Sequence, residues 1–319
     1  MACGRERFRA KCMVFCRTLL RLKEIVLVVV ALATCCAATI APLHAEPRVN
    51  VVATFSILGD FTRNVGGERI NLTTLVGSNG DTHVYTPTSD DAKHVAAAQL
   101  VVINGLGLEG WLPRLVHAAG GHARLITASG GIVTRAASTT SEGEQSDPHA
   151  WQAVPNAKIY VTNIRDALIE ADPAGAEVYR ANAAAYLARL DALDREVREA
   201  IGRIPENRRR VISTHDAFGY FAAAYGVDFI APQGVSTEAE VSAHDLAAII
   251  RQIRTEKIPA IFLENMNDPR LMRQIGAETG ARIGGTLYSD ALTEEKGEAP
   301  TYIEMVRHNI RALTSALSG

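Results

Sequence analysis

Beyond residue 45 the sequence has no cysteine. All five (Cys3, Cys12, Cys16, Cys35 and Cys36) come before that point in a chain of 319 residues. This absence excludes a disulfide framework, a thiolate nucleophile and a cysteine-built zinc site from the remainder, which must be stabilised by its own core. There is no excess of basic charge either. Lys plus Arg number 33 against 35 Asp plus Glu, a formal net charge of −2, so the electrostatic footprint of a nucleic-acid-binding protein is missing. No G-x-S-x-G elbow, P-loop or H-E-x-x-H pair occurs, which removes the familiar hydrolase and nucleotide motifs. What is present is ordinary for a folded protein: 47% hydrophobic and 21% charged residues, over a length that suits about two domains.

Charge is unevenly distributed. Residues 1–45 hold seven bases (Arg5, Arg7, Arg9, Lys11, Arg17, Arg21, Lys23) and two acids (Glu6, Glu24), net +5. Subtracting these from 33 and 35 leaves 26 bases and 33 acids, net −7, for residues 46–319. The basic stretch is followed by an apolar run over 25–40, then Pro42-Leu43-His44-Ala45. Such an order describes a secretory signal peptide, here 1–45 with cleavage after Ala45. The 16-residue run falls short of the roughly 20 residues needed to span a bilayer. Leu32-Ala33-Thr34-Cys35 is an imperfect lipobox, which makes lipid anchoring at Cys35 the lesser alternative, and Met13 offers a second start. The expected location is periplasmic.

Short Val- and Ile-rich runs at 50–55, 71–76, 100–104, 124–127, 210–214, 227–231, 260–263 and 282–287 read as strands. Most lack period-2 alternation, which suits strands buried on both faces of a parallel sheet. Helical patterns lie between them, as at 89–99, 216–225, 243–257 and 269–279. This alternation predicts an α/β fold with parallel sheets. The eight strands fall into two groups of four, separated by about 80 residues that read largely as helix. Pro173 opens a run to Ile204 with Tyr186, Leu190, Leu193, Val197, Ile201 and Ile204 on one face, a stiff helix of roughly 45 Å joining two lobes. The expected division is an N-terminal lobe over 46–172, a linking helix over 173–205 and a C-terminal lobe over 206–319. The polar stretch 130–147 reads as a loop.

Gly105-Leu106-Gly107-Leu108-Glu109-Gly110 matches G-x-G-x-x-G after a strand, but the acid that a dinucleotide site wants about 20 residues on is missing from 124–127. A tight turn ahead of a helix containing Trp111 is the simpler reading. His94, His117, His122, His244 and His308 fall in or beside polar helical or loop stretches and read as solvated or structural. His83, His149, His215 and Asp290 differ. His83, His215 and Asp290 follow predicted strands, and His149 stands where the polar loop meets a helix. Ligands in open α/β sheets collect at the carboxyl ends of strands. Two residues from each lobe point to a site in the cleft, and three imidazoles with one carboxylate satisfy four-coordinate Zn²⁺.

The chain from about Val49 onward resembles the zinc/manganese solute-binding proteins of bacterial ABC importers, the cluster 9 or cluster A-I receptors. The resemblance is carried by Ala53-Thr54-Phe55-Ser56-Ile57, His83-x-Tyr85-x-Pro87, Asn104-Gly105-Leu106-Gly107-Leu108-Glu109 with Trp111, and Asp147-Pro148-His149-Ala150-Trp151. It continues in His215-Asp216-Ala217-Phe218-Gly219-Tyr220-Phe221, Ser236-Thr237-Glu238-Ala239-Glu240 and Tyr288-Ser289-Asp290-Ala291-Leu292. It implies two lobes, each a four-stranded largely parallel sheet flanked by helices, joined by one long rigid helix. It also assigns metal ligands to His83, His149, His215 and Asp290. Thr82 and Thr86 stand where Pro and Glu are frequent in that family. The loop before His149 lacks the His-rich tract of many zinc members, and its stretch 138–145 has only Glu142 and Glu144 as weak metal-catching groups.

The implied function is a non-catalytic periplasmic receptor that captures Zn²⁺ and delivers it to an ABC permease in the inner membrane. It would act as a monomer, with a metallochaperone as a possible loading partner. Manganese-type members often carry Glu at the place of His215, so three nitrogens and one oxygen favour zinc over Mn²⁺. The alternatives are a manganese receptor of the same fold, a zinc hydrolase with Glu264 as its base, or an adhesin or metal chaperone.

Overall fold

The computed structural model describes residues 48–121, 124–137, 146–238 and 241–318. The proposed signal segment 1–45, the lipobox at Cys35, His122, Ala239, Glu240 and the loop acids Glu142 and Glu144 lie outside the described residues.

Two four-stranded sheets organise the chain. The first is built from β1 (Val49–Phe55), β2 (Ile70–Val76), β3 (Leu100–Ile103) and β4 (Leu125–Thr127), in the order β2-β1-β3-β4. The second contains β5 (Arg210–Ile212), β6 (Asp228–Ile230), β7 (Ala260–Glu264) and β8 (Arg282–Leu287), in the order β6-β5-β7-β8. Every pairing is parallel. In each sheet the chain moves outward to one edge and then crosses to the other side. A switch point therefore opens at the strand carboxyl ends, between β1 and β3 and again between β5 and β7.

Eight runs predicted as strands are strands, at boundaries within two residues. Burial on both faces holds for the central β1, β3, β5 and β7. It fails for β2, β4, β6 and β8, whose edge positions leave them partly exposed.

The helices are α1 (Ser56–Gly66), α2 (Ser89–Ala97), α3 (Leu112–Ala118), α4 (Val154–Ala171), α5 (Ala176–Gly202), α6 (Gly219–Tyr225), α7 (Ala243–Glu256), α8 (Arg270–Thr279) and α9 (Tyr302–Leu317). Capping sets several starts. Thr88 and Asp91 form a reciprocal capping box at α2, and Ser242 and Thr301 cap α7 and α9 through the backbone N–H groups of Asp245 and Glu304.

The linking helix α5 is shorter than expected. Pro173 opens a separate single turn, Pro173–Gly175, in which the Asp172 side chain accepts the Gly175 N–H. The α-helix starts at Ala176 and runs 27 residues, about 40 Å. Its buried stripe of Tyr179, Ala183, Tyr186, Leu190, Leu193, Val197 and Ile201 keeps the predicted face. Ile204 is buried just past its end. Trp111 precedes α3 as its N-cap instead of lying within it.

One hydrophobic cluster contains residues of both halves. Phe61 of α1 meets Tyr160 of α4, Tyr186 of α5 and Tyr302 of α9 at centroid distances of 5.9, 6.2 and 4.8 Å. Beside it, the buried carboxylate of Asp60 accepts from Tyr186 Oη at 3.0 Å and from the Tyr302 N–H at 3.1 Å. Two polar contacts extend the junction: Leu292 N–H donates to Ser56 Oγ at 2.9 Å, and Asn79 N–H to Leu292 O at 2.8 Å. A smaller cluster of Ile212, Ile249, Ile253, Ile258, Ile261, Met272 and Ile275 belongs to the second sheet alone.

Candidate metal centre

The glycine-rich segment after β3 is a structural turn. Gly105, Leu106 and Gly107 have φ of 79°, 57° and 86°, and a side chain on Gly105 would meet Thr127 Cγ2 at 2.5 Å. The buried Glu109 carboxylate accepts the N–H groups of Asn104 and Gly105 at 2.6 and 3.1 Å, and the Thr54 hydroxyl at 2.7 Å. Amides that a dinucleotide phosphate would need are thus already occupied.

The four residues singled out from the sequence converge. His83 lies in the loop after β2, His149 directly before the turn Ala150–Gln152, His215 after β5 and Asp290 after β8. Their candidate ligand atoms all lie within 4.8 Å of one another. His149 Nε2 is 3.2 Å from His83 Nε2 and 3.3 Å from His215 Nε2. Asp290 Oδ2 is 3.2 Å from His83 Nε2 and 3.1 Å from His215 Nε2. The side chains of His149, His215 and Asp290 are fully buried, while that of His83 is 5% exposed.

The backbone aims these groups with acidic neighbours. In both Asp81-Thr82-His83 and Asp147-Pro148-His149, the aspartate Oδ1 accepts the histidine N–H two residues on, at 2.9 Å in each case. Asp147 Oδ1 also faces His149 Nδ1 at 2.9 Å. Glu264, ending β7, does the same for the other lobe. Its Oε2 lies 2.6 Å from His215 Nδ1 and accepts the Ser289 hydroxyl at 2.8 Å. Its Oε1 takes the N–H groups of Thr214 and His215 at 2.9 and 3.2 Å. A carboxylate on Nδ1 fixes the Nδ1–H tautomer and leaves the Nε2 lone pair for a metal. With both oxygens engaged, Glu264 is an orienting group and no free base. Asp290 is held through its neighbours: Tyr288 N–H donates to Asn309 Oδ1 at 2.9 Å, and Asn309 Nδ2 to Tyr288 O at 2.7 Å.

Three Nε2 atoms and a carboxylate facing one another at 3.1–3.3 Å need protons or a cation between them. Burial opposes charge on His149, but Asp290 and Asp147 outweigh it and push its pKa up to about 9. His215 is likewise raised well above the histidine range, Glu264 and Asp290 overcoming burial. Burial dominates at His83 and lowers it. Burial would raise Asp290, yet His149 and His215 hold it well below the carboxylate range. Asp290 Oδ1 is buried with no hydrogen-bond partner among the described residues, which fits a carboxylate reserved for a metal ion.

The remaining histidines stay apart. His94, His117 and His244 are exposed, and His308 Nε2 lies 3.0 Å from Thr286 O. Thr82 is buried, with its carbonyl accepting Trp111 Nε1–H at 2.8 Å, whereas Thr86 is exposed. The roles of Asp81 and Asp147 were not assigned from the sequence, although the repeated Asp-x-His spacing marks both.

The chain matches the family model ZnuA, described as zinc-uptake complex component A periplasmic, over residues 51–316. It is 35% identical to the manganese-binding lipoprotein MntA of Halalkalibacterium halodurans over 274 residues, 85% of this chain and 89% of that protein. It is 34% identical to the iron-binding protein YfeA of Yersinia pestis over 274 residues, 84% of this chain and 86% of that one. Among solved structures, the periplasmic zinc-binding protein TroA from Treponema pallidum superposes with a TM-score of 0.80 at 32% identity, covering 85% of this chain and 99% of that chain. A Mn-bound periplasmic metal-binding protein from candidatus Liberibacter asiaticus gives 0.77 at 31% identity, with the same coverage.

Proposed function

The chain belongs to the family of periplasmic metal-binding receptors of ABC importers, and from that premise we propose that its cargo is Zn²⁺, held by His83, His149, His215 and Asp290. A receptor of this kind carries its ion to a membrane permease and is no enzyme. The observation that supports the site is the convergence of four ligand atoms within 4.8 Å, three of them from segments that follow strands of the two parallel sheets. Zinc is favoured because three imidazole nitrogens and one carboxylate oxygen complete a tetrahedron, and the N-rich set suits Zn²⁺ better than the harder Mn²⁺.

In this reading residues 46–172 and 206–319 are the two metal-binding lobes of a monomer, 173–205 joins them, and 1–45 is an export signal cut after Ala45. Two buried carboxylates stand behind His149 and His215, so the ion enters a site in which those two imidazoles are already oriented. The names of the relatives favour a second reading: two of those compared are manganese- and iron-binding. Competition between Zn²⁺ and Mn²⁺ for purified mature protein separates the two. One tightly bound Zn²⁺ per chain, lost in His83→Ala and His215→Ala, is the expected result. Full affinity in both variants would remove the site, and preferential Mn²⁺ retention would replace the cargo. Mass analysis of the mature chain distinguishes an N-terminal Glu46 from a lipid on Cys35.

A further inference from the structure

Asp147 and Glu264 support imidazole rings, but Asp81 is engaged differently. Its Oδ1 accepts the His83 N–H at 2.9 Å, and its Oδ2 accepts the Thr237 hydroxyl at 2.6 Å. Thr237 is 156 positions away, in the segment that follows β6 of the second sheet. The Thr237 carbonyl accepts Gln233 Nε2–H at 2.9 Å. Gln233 in turn bridges to His215 in parallel register, and its carbonyl accepts the Asp216 N–H at 3.1 Å. A path of contacts thus runs from His83 through Asp81, Thr237 and Gln233 to His215, without passing through the ion position.

The other two candidate ligands are tied in a buried region. Trp151 Nε1–H and Gln152 Nε2–H both donate to Ser289 O, at 2.9 and 2.6 Å, fastening the His149 segment to the Asp290 segment. Trp151 and Ser289 are fully buried, whereas Asp81 and Thr237 are only half-buried. His83 also has the least support of the three imidazoles. Among the described residues it has no carboxylate on Nδ1, and its neighbour Val84 is 50% exposed.

We propose that Asp81 is a positioning residue and Thr237 its partner in the opposite lobe, and that their hydrogen bond keeps His83 on the ion and sets the rate of metal release. The inference rests on the reading of the four residues as the cargo site. Breaking this bond frees the His83 loop while His149 and Asp290 remain fastened, so release begins at His83.

The test is stopped-flow release of Zn²⁺ from the loaded mature protein into excess chelator. Thr237→Val removes the donor at similar volume and is expected to speed release about tenfold, the scale of one hydrogen bond to a charged acceptor. Thr237→Ser restores slow release. In an Asp81→Ala background, Thr237→Val adds nothing further. Thr237→Ala provides the same readout should the valine variant fold poorly, and the metal-free melting temperature separates lost positioning from lost stability. Release at the wild-type rate in both Val and Ala variants, or an undiminished effect of Thr237→Val in Asp81→Ala, would overturn the inference. If wild-type protein takes up Zn²⁺ and release ignores Thr237, this inference alone fails. Failure of the wild-type protein to take up Zn²⁺ would remove the site beneath it as well.

Discussion

Replacing Glu264 with glutamine changes one oxygen to an NH₂ group and tests how the centre is held. The carboxylate receives five donors: His215 Nδ1–H, the N–H groups of Thr214 and His215, the Ser289 hydroxyl and, at 3.5 Å, Asn267 Nδ2–H. Glutamine has two orientations there. If its oxygen keeps the two backbone N–H groups, its NH₂ faces His215 Nδ1. The imidazole must then accept at Nδ1 and carry its proton on Nε2, the atom required by the ion. If the amide is turned the other way, the tautomer is preserved but NH₂ opposes two backbone donors, each costing about 1–3 kcal/mol when left unpaired. The cheaper route therefore costs about 2–3 kcal/mol, a loss of roughly 30- to 150-fold in Zn²⁺ affinity. Competition against a chromophoric chelator at neutral pH measures that loss, and ¹⁵N spectra of His215 report the tautomer. A Glu264→Gln protein that binds Zn²⁺ as tightly as the wild type would refute the reasoning.

Three other outcomes follow from the described contacts. In the metal-free protein the pKa of His149, pushed up to about 9, places a proton on it at neutral pH, and His215 is shifted in the same direction; Zn²⁺ uptake should release protons and weaken as pH falls, which titration in dilute buffer with a pH indicator reads directly. Arg69, at 2.8 and 3.1 Å from the two Asp172 oxygens, holds that carboxyl below the usual 3.8. Because the folded value is the lower one, the contribution is present above the unfolded pKa and lost as pH falls through the folded value. Urea unfolding of Asp172→Asn should thus show a deficit of about 1 kcal/mol at neutral pH that vanishes in strong acid. A methyl group at Gly284 would stand 2.6 Å from two Phe262 ring carbons and 2.9 Å from Ala316 Cβ, so Gly284→Ala should cost about 1–3 kcal/mol by overpacking, and an unshifted denaturation midpoint would contradict that.

The strands were legible because a parallel sheet writes itself as short, continuous Val and Ile runs, as in Val51, Val52, Val101 and Val102. Helix α1 was not singled out. Its apolar residues Ile57, Leu58, Phe61 and Val65 do share one helical face, but the 11-residue helix runs on from β1 without a break, so the apolar stretch from Val51 hid the change of period. The start of α5 was misplaced because Pro173 satisfies the first position of a single turn as well as that of a helix. At the candidate centre, strand ends singled out His83, His215 and Asp290, the meeting of loop and helix singled out His149, and the family resemblance assigned all four as ligands. The orienting acids were harder to see. Glu264 touches His215 across 49 residues of sequence, a contact that only the adjacency of β5 and β7 creates. Asp147 and Asp81 are local, and the Asp-x-His spacing shared by two segments was the overlooked signal.

The shared aromatic junction limits how far the cleft can open. Phe61, Tyr160, Tyr186 and Tyr302 meet across α1, α4, α5 and α9, and Tyr302 Oη donates to Trp151 O at 2.7 Å. Baring one such ring to water costs on the order of 1.5–3 kcal/mol, so parting Phe61 from Tyr302 alone would expose two rings and consume a large share of the 5–15 kcal/mol by which a typical protein is folded. A wide gape is therefore a partial denaturation. If the ion is held as proposed, the motions that release it are small ones, and the aromatic core is their mechanical stop.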